Sequence, residues 1–344
     1  MTNAPPSVAY VAESGFQHLY PILSMQRTLP APVLTTGRRM AARLAATCDA
    51  VFVQERDLPS AILDRGLDIV VSTSQRLHPR MLSSRSPRVR VVFIGHGESD
   101  KTHGQGADPK PGFVHAPVND AFDLLLVGST AHLDAYSNPR RVLVGDLKHD
   151  LFMHGGYANR RPLPGTVLWA PSWGRHNSVP EWLTRVVEAT GRLGLTCLLQ
   201  PHPFSFEAEP HVVQQAYALS IRNPHFRVVE AANVLDTMAR CELMLGDVST
   251  VCYDWLLFDR PIVFLDHPSL SVPEEKRLFG AGICVGPGDD VEAALRQALT
   301  RPDAHALERR SALEGHFPWR DGRAAQRCAE AIGDWWRTCW SSGP

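Results

Sequence analysis

A chain of 344 residues is too long for one core of ordinary size and points to two domains of roughly 150 to 180 residues each. Its 44% hydrophobic and 21% charged residues are those of a globular protein. The balance of 35 Lys and Arg against 36 Asp and Glu argues against a bulk binder of nucleic acid or polyanions.

The seven cysteines (Cys48, Cys197, Cys241, Cys252, Cys284, Cys328 and Cys339) are odd in number, scattered and free of any C-x-x-C pair, which reads as reduced thiols. Met1 to Ser7 carry no basic stretch followed by an apolar core. No apolar run reaches the ~18 residues needed to cross a bilayer. The expected location is the cytoplasm, with any membrane contact peripheral and on the inner face.

In chain order, β-rich runs alternate with helical patterns. Val8–Val11 is followed by a helix near Gln17 to Gln26, Pro32–Leu34 by Arg38 to Ala46, and Ala50–Val53 by Pro59 to Arg65. Further runs lie at Asp68 to Ser72, Val89 to Ile94, Phe122 to Val127 and Arg141 to Val144. A polar stretch with Gly and Pro, Lys148 to Pro164, reads as a linker. The alternation restarts with strands at Val167–Ala170, Leu195–Gln200, Phe226–Val229, Glu242–Leu245 and Ile262–Leu265. Helices are expected at Glu181 to Leu193, Ala208 to Ser220, Val234 to Arg240 and Ser249 to Phe258. Beyond Gly286 the pattern is helical, at Asp290 to Thr300, Ala304 to Leu313 and Gly322 to Trp340. Such alternation builds parallel sheets with helices on both faces. The expected plan is α/β and GT-B-like, two doubly wound, Rossmann-like domains facing a central cleft. Residues 1–150 would form the acceptor-side domain and 151–320 the donor-binding domain, with a helix at 321–344 packing back toward the first.

Two histidines follow apolar runs directly, His96 after Val91–Ile94 and Gly95, and His202 after Leu198, Leu199, Gln200 and Pro201. Both then sit in loops at strand carboxyl ends, where open α/β sheets bind ligands. A third such loop is Gly246-Asp247-Val248-Ser249-Thr250, followed by Val251, Trp255 and Phe258 as a buried helical stripe. Asp247 or Ser249 can cap this helix, leaving first-turn amides and the Ser249 and Thr250 hydroxyls to meet a diphosphate, with Asp254 one turn on. The same residues also make an ordinary capping sequence.

Five short segments in order resemble the CDP-glycerol glycerophosphotransferase family of teichoic-acid and capsule polyol-phosphate transferases. They are His96-Gly97 with Lys101; Gly145, Lys148 and Asp150 followed by Leu168-Trp169-Ala170-Pro171-Ser172-Trp173; Pro201-His202-Pro203; Asp247 to Thr250 with Asp254 and Arg260-Pro261; and Asp321-Gly322-Arg323 leading to Arg327. Glu98-Ser99-Asp100 stands where the family carries T-P-L, and Leu147-Lys148 where it often carries Pro-Arg. The first departure puts two carboxylates near the acceptor side and speaks against a polyanionic acceptor.

The resemblance implies transfer of glycerol phosphate or ribitol phosphate from a CDP-activated donor to a hydroxyl of a cell-envelope glycan or lipid-linked acceptor, with CMP leaving. His96 is then the base and His202 a donor-phosphate ligand, aided by Ser249, Thr250, Lys101, Asp247, Asp254 and Arg327. No metal or other cofactor is expected, and His103 and His115 do not form a tight ligand set. Trp169 and Trp173 either stack on a cytosine base or pack in the core. The C-terminal Trp335, Trp336 and Trp340 either touch a membrane interface or pack on the first domain. Two alternatives stay open at this point: another GT-B enzyme, acting on a nucleotide sugar as glycosyltransferase or epimerase, and a non-catalytic nucleotide-binding assembly partner.

Overall fold

Short apolar runs become strands buried along their whole length, such as Ile69–Ser72 and Leu124–Val127, as parallel sheets covered on both faces require. A computed structural model describes residues 5–12, 15, 18–75, 88–95, 97, 100–101, 117–230, 233–270 and 272–341. They fall into two units, one holding the described residues of Met1–Gly97, Val114–His154 and Phe317–Pro344, the other those of Glu98–Phe113 and Gly155–His316.

The first unit is a 7-stranded sheet of β1 (Val8–Ala12), β2 (Val33–Thr35), β3 (Ala50–Phe52), β4 (Ile69–Ser72), β5 (Arg90–Ile94), β6 (Leu124–Val127) and β7 (Arg141–Leu143). The order is β3-β2-β1-β4-β5-β6-β7 with every neighbour parallel, so the winding reverses between β1 and β4. Its core joins Tyr10, Ile22, Val71, Val92 and Leu126 to Ala324, Ala325, Cys328 and Ile332 of the last helix, Ala324–Ser341. Trp335 and Trp336 are partly buried against the same core. These two tryptophans thus pack on the first unit, one of the two placements considered from sequence.

Two of the family-like segments lock onto each other in this unit. The stretch expected as a linker begins instead as the helix Leu147–His154, whose Lys148, His149, Asp150 and Phe152 are buried. The Asp150 carboxylate accepts from the amides of Ala324 at 2.9 Å and Ala325 at 2.7 Å, capping the last helix from outside. Arg327 of that helix donates from Nε to the Val144 carbonyl at 2.7 Å and from both terminal nitrogens to Asp321 at 2.9 and 3.0 Å. Gly145 sits at φ 93°, a conformation L side chains rarely adopt, with the Arg327 guanidinium 3.1 Å from where a Cβ would lie.

The second unit is a 6-stranded parallel sheet of β8 (Thr166–Trp169), β9 (Thr196–Leu199), β10 (Phe226–Val228), β11 (Leu243–Gly246), β12 (Ile262–Leu265) and β13 (Ile283–Val285), in the order β10-β9-β8-β11-β12-β13. The first strand of the unit thus pairs with its fourth, Val167 opposite Leu243 and Trp169 opposite Leu245. Trp169, Trp182, Val186, Leu245 and Val263 are among its fully buried residues. β13 escaped the sequence reading because it is three residues long with an exposed Cys284 at its centre. No described helix is long and apolar enough to cross a membrane.

Buried His149 meets Phe317 edge-on at 4.4 Å, and neither of its ring nitrogens has a hydrogen-bond partner among the described residues. Burial lowers it from 6.5 to about 4. Because the folded value lies below the unfolded one, its contribution to stability is complete above pH 6.5 and is lost as pH falls toward about 4. Urea melts across this window should show His149→Phe losing stability less steeply than the parent, by about 1.4 kcal/mol per pH unit. Equal slopes would contradict this account.

Candidate active site

In a sheet wound this way the ligand site lies beyond the strand carboxyl ends, where the winding reverses, here between β8 and β11. β11 ends at Gly246, where a Cβ would meet the Cys252 sulfur at 2.6 Å. Glycine there lets the following helix, Thr250–Trp255, start directly against the strand.

Asp247 comes next and is 1% exposed. Its carboxylate accepts from the Ser172 amide at 2.8 and 3.1 Å and from the Ser178 amide at 3.0 Å, tying the loop after β8 to the loop after β11. Burial pushes this carboxyl up to about 6, against the pull of the Ser178 and Ser172 amides and of Lys101. Where the sequence suggested a phosphate-side role for Asp247, the structure shows its carboxylate engaged by backbone amides of the loop after β8. Ser249 caps the helix, its hydroxyl accepting from the Val251 amide at 3.4 Å, and half-buried Thr250 is the first helical residue. Asp254 is buried on the same short helix.

Lys101 belongs to this unit, and its ammonium donates to the Ser172 hydroxyl at 2.6 Å. Burial lowers it to about 8, while nearby Asp247, Cys252 and Glu275 favour the charge. The preceding Asp100 accepts from the Tyr253 hydroxyl at 2.7 Å. One of the two carboxylates expected on the acceptor side is thus engaged within the second unit. Glu98, and with it His96, lies outside the described residues.

His202 follows β9. Its Nδ1 accepts from the Phe204 amide at 3.1 Å, which leaves the proton of a neutral ring on Nε2, the nitrogen that donates. The ring stacks on Phe204 with centroids 5.7 Å apart at 15°, and Trp173 lies 6.1 Å from it. Trp173 also packs on Phe204 at 5.2 Å. The Glu209 carboxylate holds this corner from below, accepting from the Gly174 amide, the Asn177 side chain and the Ser205 hydroxyl, each at 3.1 Å.

The remaining assignments part company here. Trp169 is fully buried in β8 with its indole donating to the Ser178 hydroxyl at 3.1 Å, so it has no face for a base. Arg327 is engaged by Val144 and Asp321 in the first unit, in the clamp described above. Arg260 donates to the carbonyls of Met238, Ala239 and Cys241 and to that of Arg160, closing the end of the helix Val234–Arg240.

Sequence reasoning missed a second buried group beside Lys101. His176 and Glu275 pair at 2.9 Å with both side chains almost wholly buried, and Arg175 reaches the same carboxylate oxygen at 3.7 Å. Burial, reinforced by Lys101, holds His176 at about 4, so its ring is neutral at pH 7. His267, after β12, is buried with Nε2 unpartnered among the described residues, and burial lowers it too. It follows an apolar run and precedes Pro268, the same pattern that singled out His202. No local pattern could have paired His176 with Glu275, 99 residues apart. Among the described residues no group of three or more His, Cys, Asp and Glu is placed to hold a metal ion.

Residues 166–334, which carry this whole constellation except Asp100 and Lys101, match the model of the family CDP-glycerol:poly(glycerophosphate) glycerophosphotransferase. Just under half of the chain is thus similar to that family. It is therefore a glycerophosphotransferase-class enzyme, using a CDP-glycerol-type donor. No curated protein matches the chain. Among solved structures, the wall teichoic acid polymerase TagF is 13% identical, with 98% of this chain and 91% of that chain covered at a TM-score of 0.65. Staphylococcus aureus MnaA, solved with UDP, is 14% identical over 97% of each chain at 0.60. Acinetobacter baumannii MurG is 12% identical over 95% of this chain and 99% of that one at 0.51. At these identities the likeness shows the fold alone, and that fold is GT-B.

Asp247→Ala in this glycerophosphotransferase orphans two buried amides at once, each costing about 1–3 kcal/mol. Urea unfolding should show a loss of that order, with Asp247→Asn less affected because its amide oxygen still accepts. A melt unchanged in the alanine variant would refute the role given to this carboxylate.

Proposed function

We propose that this enzyme moves a polyol phosphate, glycerol phosphate or ribitol phosphate, from a CDP-activated donor to a hydroxyl of a cell-envelope glycan or lipid-linked acceptor. The attacking hydroxyl oxygen bonds to the phosphorus that carries the polyol. The bond from that phosphorus to the CMP oxygen breaks, and its electron pair leaves with CMP. The hydroxyl proton passes to a base, a role the family resemblance gives to His96.

The observation that carries this reading is the convergence of Lys101, His202 and the Ser249–Thr250 helix start beyond the carboxyl ends of the second sheet, within a family-matched segment. A diphosphate needs donors where charge grows as CMP departs. His202 offers Nε2–H, Thr250 its hydroxyl and the helix start its amides. Lys101 adds positive charge from a half-buried position, where it acts more strongly than in water. With these groups the charge on the phosphates is met without a metal ion. Trp173, beside His202 and Phe204, is the aromatic surface placed to receive the cytosine base.

Incubation with CDP-glycerol, CDP-ribitol and a panel of UDP- and GDP-sugars tests the proposal. CMP should appear from a CDP-polyol in the presence of acceptor, and His202→Ala should lower its release by about 100-fold. Turnover of a UDP- or GDP-sugar with none of either CDP-polyol would move the enzyme to the glycosyltransferase or epimerase reading. Cytidine-nucleotide binding without turnover would favour the non-catalytic one.

A further inference from the structure

Asp100 and Lys101 are consecutive, and each makes one short bond into the second unit. Asp100 Oδ2 accepts from the Tyr253 hydroxyl at 2.7 Å, and Lys101 Nζ donates to the Ser172 hydroxyl at 2.6 Å. Tyr253 is 2% exposed on the helix that Ser249 caps, and its ring packs on His316 with centroids 4.8 Å apart. His316 Nε2 lies 3.4 Å from the same hydroxyl, while its Nδ1 donates to the Ala312 carbonyl at 2.8 Å. The Leu278 amide also donates to Asp100, and Arg277 stands nearby. The anchor for Asp100 is thus held by the helix Thr250–Trp255, the helix Ala306–His316 and the segment Pro273–Ala281.

From this arrangement we infer that the Asp100–Tyr253 hydrogen bond is a positioning latch that seats the Lys101 ammonium at Ser172, beside the donor-phosphate site. Lysine has four rotatable side-chain bonds and loses much rotamer freedom when fixed. Fixing the backbone one residue earlier removes part of that cost, so the ammonium waits in place before substrate arrives. Asp100 is a positioning residue, since it acts through Lys101 and touches no reacting atom. Its carboxylate departs from the leucine the family resemblance leads one to expect, and Tyr253 gives that departure a structural partner.

The catalytic consequence rests on the glycerophosphotransferase reading, but the position of Lys101 can be read without any donor. The rate of lysine acetylation, followed by peptide mass spectrometry as a function of pH, reports by its midpoint how the ammonium holds its proton. In the parent, Lys101 faces Asp247, Glu275, Cys252 and His176 and should show a midpoint near 8. In Tyr253→Phe and in Asp100→Ala the Lys101 midpoint should rise toward the ordinary 10.5. Asp100→Asn keeps an acceptor for the tyrosine hydroxyl and should behave as the parent. CMP release should fall about tenfold in the first two variants, the loss of one charge-assisted hydrogen bond, and be retained in the third. A Lys101 midpoint unmoved in both latch-breaking variants, or one that moves equally in Asp100→Asn, overturns the proposal. Absence of turnover with every CDP-polyol would sink the functional reading while leaving the acetylation result to stand or fall separately.

Discussion

The second unit is organised around one buried carboxylate. Asp247 sits where the winding of the sheet reverses, and it spends its oxygens on the amides of Ser172 and Ser178. Without that acceptor the loop after β8 would carry two buried, unpaired donors, so the carboxylate is a condition for the loop's shape as much as a decoration of it. The loop in turn presents Ser172 to Lys101, Trp173 to His202, and His176 to Glu275. Position at the reversal is given by topology, and the chemistry is given by what this carboxylate orders there.

The electrostatics of the cluster follow from burial. Asp247 is pushed up and Lys101 and His176 are pushed down, each toward its neutral form. Such opposed shifts gather where a protein keeps charges ready for a charged substrate. A diphosphate arriving beside Lys101 would favour the ammonium form, so binding and protonation reinforce each other. His202 is oriented by the Phe204 amide and by stacking, which fix the ring and its tautomer.

Much of this was legible in the amino-acid sequence because parallel strands are short continuous apolar runs. Val8, Ile69, Val91, Leu124, Val167, Leu243 and Ile262 each lie in such a run and each lie in a strand. β13 was not legible, since three residues around an exposed cysteine make no run. The ordered motifs led to the family, yet a motif names residues without naming their partners. Asp150 and Arg327 belong to family-like segments in sequence, and in the fold they cap and clamp the last helix, a contact separated by more than half the chain. Asp247 has the opposite history: its place was legible, but its engagement by the backbone amides of the loop after β8 was not. His267 repeats the strand-then-His-Pro signature of His202 and was open to the same argument. The His176–Glu275 pair depends on tertiary structure alone.

The central claim is that the donor diphosphate is held in the second unit by groups ordered around Asp247. A crystal structure with CDP-glycerol bound tests it most directly. The account predicts phosphate oxygens within hydrogen-bond distance of His202 Nε2 and of the Ser249–Thr250 helix start, with the base against Trp173. A diphosphate bound away from these residues, with Lys101 and His202 untouched, would contradict it.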